Sequence, residues 1–310
     1  MSASGTIIIP AHNEQDFIIN LLESLKVHLK KPTQIIVVAN ACTDATANNA
    51  RGYDCEVIEI AQKQDPSTAR NKGVEYAYGD IFAFLDADVE VTEKWCSAFQ
   101  GLLDSTDKNS LILTGDQCHI SKNPSWIEKN WFFPLRELPK SYINSGNLIA
   151  SRELFVRING FDSSLETGED VDFCRRAVDA TAELIINPSF IVFHEGFPKT
   201  MRRFLKRERW HGKGDFQQFS HLVRSKTALL TVVFTFIHGL LLILIPIAIY
   251  QCSKTSLVAL VVLVAATCVI RFKSLSILRQ PSILAVQYIY FLGRGLSFLD
   301  TIKTKLTRKV

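Results

Sequence analysis

Two carboxylates one residue apart, Asp86 and Asp88, directly follow the apolar run Ile81–Leu85. Close carboxylates repel unless a cation sits between them. Hard oxygen ligands of this kind suit Mg²⁺ or Mn²⁺ carrying a phosphate. A solvated turn is the plain alternative for so short a motif. Upstream, residues 67–73 (STARNKG) place Arg70 and Asn71 near the start of an expected helix. A guanidinium there is suited to meeting a phosphate or to orienting the two carboxylates. Downstream, Gly168 precedes Glu169 and Asp170, and Asp172 completes three acids in four residues. The helix dipole favours an acid in a first turn. Capping accounts for one such acid, and the surplus points to a general base.

The elements that must hold these groups follow from the hydrophobic pattern. Residues 6–10, 34–39, 56–60 and 80–85 are short apolar runs that read as buried strands. Residues 14–28, 43–50 and 67–78 carry helical spacing between them. Strand alternating with helix predicts an α/β fold with a mostly parallel sheet flanked by helices. Such sheets bind ligands at the carboxyl ends of their strands, where the acidic pair falls.

The 310 residues are 47% hydrophobic and 21% charged, which excludes a largely disordered chain. Residues 225–310 hold ten Lys/Arg and one acid, Asp300, for a charge of +9, whereas residues 1–224 carry −5. An acidic globular part ahead of a basic, apolar one argues for membrane lipids as partner and against nucleic acid. The expected division is a cytosolic catalytic domain at 1–224 and a membrane-anchoring region at 225–310. Residues 227–250 are free of charge, as are 255–270. They predict a transmembrane hairpin with helices near 227–250 and 255–271, and basic flanks that keep the catalytic domain in the cytosol at the inner membrane. Residues 282–299 contain Arg294 and read as an interfacial amphipathic helix. The seven cysteines are odd in number and lack CxxC spacing, so reduced thiols are expected. The first residues, MSASGTIIIPAHNE, read as a strand and not as a signal peptide.

IIIPAHNE, then Asn40-Ala41-Cys42-Thr43-Asp44, STARNKG, FLDADV, SGNLIASRELFVRINGFD and GEDVDFCRR occur in one order over residues 5–215. That order resembles the family 2 glycosyltransferases of the GT-A fold. The resemblance implies an inverting, metal-dependent transferase that moves a sugar from a nucleotide-sugar, by default UDP-linked, to a lipid-linked or saccharide acceptor. It implies that Pro10, Asn13 and Glu14 line the nucleotide pocket and that Asp44 helps hold base or ribose. Asp86 and Asp88 match the family's DxD, with Asp88 a direct ligand of Mn²⁺ or Mg²⁺. His194, after another apolar strand, completes the metal site, with a structural histidine as the alternative. Asp170 matches the base, and Glu169 is a second candidate. Gly146 and Asn147 match the acceptor side.

Two positions depart from the pattern. Ala39-Asn40 stands where the family has Asp-Asp, which removes a base-reading carboxylate. Lys206-Arg207-Glu208-Arg209-Trp210 matches only the end of the Q-x-x-R-W motif of membrane-bound synthases. By that match Arg209 neutralises the departing diphosphate and Trp210 stacks on a sugar. A membrane-surface anchor is the other reading of this basic run.

Trp126, Trp131, Phe132 and Phe133 form an aromatic stretch suited either to a lipid-linked acceptor or to packing. A processive polysaccharide synthase would want more membrane helices, and a non-catalytic scaffold would not need Asp86, Asp88 and Asp170 together. A nucleotidyltransferase would show a Gly-rich loop after the first strand, where AHNEQD stands. No GxGxxG follows a strand, which argues against a dehydrogenase.

Overall fold

The computed structural model describes residues 3–107, 110–116, 118–136, 138, 141–217, 226–244, 251–272 and 280–307. The chain divides into two compact units, Met1–Lys122 with Pro139–Phe197, and Asn123–Leu138 with Pro198–Val310.

The first unit begins β1 (Gly5–Ala11), α1 (Ile18–His28), β2 (Gln34–Asn40), α2 (Thr46–Ala50), β3 (Glu56–Ile60), α3 (Pro66–Tyr76) and β4 (Ile81–Leu85). This is the alternation expected from the apolar pattern. Helix ends differ from the expected ones by a few residues, and a side-chain cap sets some of them. Asp65, for example, accepts from Thr68 N at 2.8 Å and starts α3, with Pro66 in its first turn. β5 (Val89–Val91), α4 (Glu93–Ser105) and β6 (Ile112–Gly115) follow.

A π-helical turn, Glu128–Phe132, leads into α5 (Phe133–Arg136) in the second unit. The chain then returns to the first unit with β7 (Asn147–Ser151), α6 (Arg152–Arg157), α7 (Glu169–Asp179), β8 (Glu183–Ile186) and β9 (Val192–His194).

The described strands form a seven-stranded sheet in the order β3-β2-β1-β4-β7-β6-β8. β7 runs antiparallel to β4 and β6, and the remaining pairs are parallel. β5 and β9 make a second, antiparallel pair that brings Val89 opposite His194. The sheet is buried on both faces. One carries Trp95 stacked on Phe99, with ring centroids 5.2 Å apart. The other carries Phe82, Phe84, Phe155, Phe161 and Phe173. Cys42, Cys55, Cys96, Cys118 and Cys174 form no disulfide, as expected.

The second unit is helical: α8 (Met201–Gln217), α9 (Lys226–Leu244), α10 (Gln251–Phe272) and α11 (Pro281–Thr307). The membrane expectation is supported only in part. Among the described residues, the helix long and apolar enough to cross a membrane is Pro281–Thr304, and 44% of its apolar window is buried inside the protein. The apolar helices Ala228–Leu240 and Lys254–Thr267 are shorter, and residues 245–250 of the expected first crossing lie outside the described residues. A two-helix crossing is therefore not supported. The segment read as a short interfacial helix belongs to the long α11.

The physical reason is charge pairing. Arg294, with the basic tail that follows, marks that segment as surface-seeking, yet its guanidinium bonds Glu208 Oε2 at 3.3 Å and Asp215 Oδ2 at 2.5 Å. Glu208 is 1% exposed. The aromatic stretch is partly packing: Trp131 sits against Phe204 and Tyr290, with centroids 5.6 and 4.9 Å away. Trp126 and Phe133 remain exposed.

Candidate active site

β4 delivers Asp86 and Asp88 at its carboxyl end, and β9 delivers His194. One ligand atom from each lies within 4.8 Å of the others. His194 Nε2 is 3.6 Å from Asp88 Oδ1, and its ring stacks on Phe197 at 4.0 Å between centroids. The other ring nitrogen, Nδ1, is buried without a hydrogen-bond partner. The three side chains are partly exposed, so an ion can reach them.

Two glycines make room for the carboxylates. A Cβ at Gly196 would stand 1.8 Å from Asp88 Oδ2, and one at Gly146 would stand 2.3 Å from Asp86 Oδ2. The local field is strongly negative. Burial, then the charges of Asp88, Asp86, Asp44 and Asp16, push Glu14 up to about 8. Burial together with Asp86, Asp88 and Asp116 raises the Cys118 thiol well above its ordinary range. Two carboxylates and an imidazole in a strongly negative field fit a divalent cation with oxygen and nitrogen preference.

Arg70, on α3, is 3% exposed. Its Nη2 donates to Asp86 Oδ1 at 2.6 Å and its Nη1 to Glu169 Oε1 at 3.1 Å. Burial alone would lower its pKa, but the charges of Asp86 and Glu169 more than offset this and raise it. Glu169 also accepts from Ser145 Oγ at 3.0 Å. The second candidate base is thus engaged by two donors.

Its neighbour Asp170 accepts from Val171 N at 2.8 Å and from Asn144 Nδ2 at 3.4 Å. Close packing and then the charge of Glu169 push the Asp170 carboxyl up to about 7, against the smaller pull of those bonds and of Arg70. A carboxylate so placed is poised to exchange a proton near neutral pH.

The expected nucleotide-side residues gather at the ends of β1 and β2, joined by bonds between the two loops. Asn13, at φ 58°, accepts from Thr43 N at 2.8 Å. Glu14 N donates to Thr46 Oγ1 at 2.8 Å. Asp44 accepts from Thr46 N at 3.0 Å and from Gln15 N at 3.2 Å. Burial works against its ionisation, but the bond from the Thr46 hydroxyl, together with these backbone bonds, prevails and lowers its pKa. Pro10 lies in β1 opposite Val38.

Asn40, where a base-reading acid was missed, exchanges two 2.9 Å bonds with the backbone of Gln64. It fastens the loop ahead of α3.

The structure corrects the role expected of Asn147. This residue is 0% exposed. Its Oδ1 accepts from Trp95 Nε1 at 2.8 Å, and its Nδ2 donates to Asp116 O at 3.0 Å and Phe190 O at 2.8 Å. With three interior bonds and no exposure, it braces the core and cannot touch an acceptor.

Arg209 and Trp210 lie on α8 in the second unit. Arg209 makes a bidentate pair with Asp300, both bonds 2.7 Å. Trp210 is 41% exposed, its ring 4.7 Å from that of His211.

Ser145, Asn144, Gly196 and Phe197 were missed by the sequence reading. Serine, asparagine and glycine in loops carry no pattern of their own. The adjacency of Ser145 and Asn144 to Gly146 was the available signal.

Comparison with known proteins supports the fold and the class of protein. The profile of the family described as "Glycosyl transferase family 2" matches residues 6–161, and that of "Glycosyl transferase family group 2" matches residues 126–270. The chain belongs to glycosyltransferase family 2 and is a transferase.

Among curated relatives, the pre-mycofactocin glycosyltransferase of Mycobacterium tuberculosis is 26% identical over 67% of this chain and 46% of its own length. Glycosyltransferase AglE of Haloferax volcanii is 27% identical over 68% of this chain and 73% of its own. The chain therefore spans about half of the first relative and most of the second.

Among solved structures, the mannosyltransferase PcManGT of Pyrobaculum calidifontis, in complex with GDP-Man and Mn²⁺, aligns with a TM-score of 0.62. It is 16% identical and covers 96% of this chain and 88% of its own. GalNAc-T7 with UDP, GalNAc and Mn²⁺ aligns over 75% of this chain and 51% of its own, with a TM-score of 0.52 and 14% identity. Both share the fold.

Gly196 gives a direct test of the cation site. Gly196→Ala is expected to leave the protein folded but to displace the Asp88 carboxylate. Mn²⁺ affinity should fall about ten- to a hundredfold, the range for disturbed ligand support. Titration followed by the Mn²⁺ EPR signal checks this, and an unchanged affinity would show that Gly196 does not support the cation site.

Proposed function

We propose that the chain transfers a sugar from a nucleotide-sugar donor, UDP-linked by default, to a hydroxyl of a lipid-linked or saccharide acceptor, with inversion at the anomeric carbon. The observation that carries this reading is the convergence of Asp86, Asp88 and His194 on a family 2 fold, with Arg70 linking Asp86 to Glu169, the neighbour of Asp170. The complexes of the two structural neighbours with nucleotide or nucleotide-sugar and Mn²⁺ support the donor class and the metal.

In this reading Asp88, Asp86 and His194 hold Mn²⁺ or Mg²⁺. When bound, such a cation supplies charge for the departing nucleoside diphosphate. Pro10, Asn13, Glu14 and Asp44, cross-linked at the strand ends, shape the nucleotide side. Asp170 takes the proton from the acceptor hydroxyl as that oxygen attacks the anomeric carbon and the sugar–phosphate bond breaks. Asn144 and the Val171 amide orient Asp170 for that transfer. A single base on the face opposite the leaving group gives direct displacement, and no covalent glycosyl-enzyme is required.

Catalysis is assigned to the first unit, and attachment to a lipid surface at the cytosolic face to the helices within 225–310. Leu229, Val233, Phe236 and Leu240 form an exposed apolar stripe along α9. α10 exposes Leu257, Val258, Val261 and Val262. α8 exposes Arg202, Arg203, Lys206 and Lys213, suited to anionic headgroups.

Three measurements test the reading. Binding of UDP, GDP and TDP should depend on Mn²⁺ in the wild type and be abolished by Asp88→Ala. Absence of nucleotide binding with or without Mn²⁺ would refute the transferase site.

In a pH series, kcat/KM should rise with pH and reach half its plateau near pH 7, because only ionised Asp170 accepts a proton. Asp170→Asn should remove that limb and cost about a hundred- to ten-thousandfold in rate. A flat profile would assign the base elsewhere.

Finally, the protein should float with vesicles containing anionic lipid and less with neutral ones. Phe236→Glu should weaken this binding, and failure to float with either vesicle would remove the lipid surface as a partner.

A further inference from the structure

Arg70, Asp86, Ser145 and Glu169 close a ring of contacts drawn from four separate segments. Arg70 bonds Asp86 at 2.6 Å and Glu169 at 3.1 Å, and Ser145 Oγ bonds Glu169 at 3.0 Å. Ser145 precedes Gly146, whose backbone passes against the Asp86 side chain. The ring is anchored at its back. The Arg70 guanidinium lies over the Phe161 ring, 5.6 Å from its centroid. Asn71, the next residue on α3, exchanges bonds of 2.8 and 3.0 Å with the Phe161 backbone. Arg70 is therefore held on three sides and cannot swing out to solvent, whereas its two carboxylate partners sit on elements with different tasks. Asp86 belongs to the cation site. Glu169 is covalently adjacent to Asp170 in the first turn of α7.

We propose that the Arg70–Glu169 pair couples cation occupancy at Asp86 and Asp88 to the placement of Asp170, and that Glu169 is a positioning residue and not a proton acceptor. This rests on the functional reading given above. The charge logic is direct. A fixed guanidinium shared between two carboxylates opposes a cation at Asp86 less than an unshared one would, because Glu169 takes up part of its charge. A cation drawing on Asp86 weakens the Arg70–Asp86 bond and leaves the guanidinium more fully to Glu169. That steadies the turn carrying Asp170. Coupling of this kind is reciprocal, so whatever loosens Glu169 must also change cation affinity.

The test uses the full chain in detergent, with Mn²⁺ as the probe, read by EPR without turnover, and with kcat and KM measured separately. In Glu169→Gln, Arg70 is no longer shared. Mn²⁺ affinity should fall at least about fivefold, the low end for linked sites, while turnover is reduced but measurable. Asp170→Asn should do the opposite, losing turnover with Mn²⁺ affinity held. Arg70→Gln should bind Mn²⁺ more tightly than wild type yet turn over more slowly, a pairing that general damage to the fold would not produce.

Should the buried arginine prove indispensable for folding, Glu169→Gln decides the matter alone. Unchanged Mn²⁺ affinity in Glu169→Gln, or a loss of turnover as complete as that of Asp170→Asn, overturns the coupling. Wild type that binds no Mn²⁺ overturns it together with the proposed function. Wild type that binds while Glu169→Gln is indifferent overturns the coupling alone.

Discussion

Negative charge gathered at one edge of a sheet is the constraint on which the first unit depends. Burial with Asp88 and Asp86 raises the Glu14 carboxyl, and burial with Glu169 raises that of Asp170. Like charges in a partly desolvated site cost free energy unless something balances them. Arg70 is the built-in part of the balance, 3% exposed and divided between Asp86 and Glu169.

The scaffold meets this constraint by using backbone and amides where side chains would crowd. Gly146 and Gly196 lie where a Cβ would strike a carboxylate. Asn147 ties β7 to Trp95, Asp116 and Phe190 through three buried bonds. Asn40 fixes the loop before α3 and so the entry of Arg70. These residues touch no reacting group, yet they decide where the reacting groups stand. An unpaired buried amide or carbonyl costs about 1–3 kcal/mol, so such polar braces resist displacement.

The second unit solves a different problem with the same physics. A long apolar helix, α11, carries Arg294 in its interior, and Glu208 and Asp215 of α8 neutralise it. Glu208 also pairs with Arg207 at 2.5 Å. An arginine that would be costly in hydrocarbon is made tolerable by partners on an adjacent helix, while the apolar stripes of α9 and α10 stay uncovered.

Sequence alone determined the strand–helix alternation, because periods of 2 and 3.6 are local and survive in any window. It determined the acidic pair at the end of β4 and the acids opening α7, because order along the chain fixes which strand end carries them. Tertiary structure decided the rest. That Glu169 is occupied by Arg70 and Ser145 depends on residues 99 and 24 positions away. That Asn147 is a brace depends on Trp95, 52 positions off. That the Arg294 guanidinium can be buried depends on an acid 86 positions earlier. In each case the deciding quantity is the compensation of a buried polar group by a distant one. Hydrophobic periodicity carries no record of such pairings, because folding creates them.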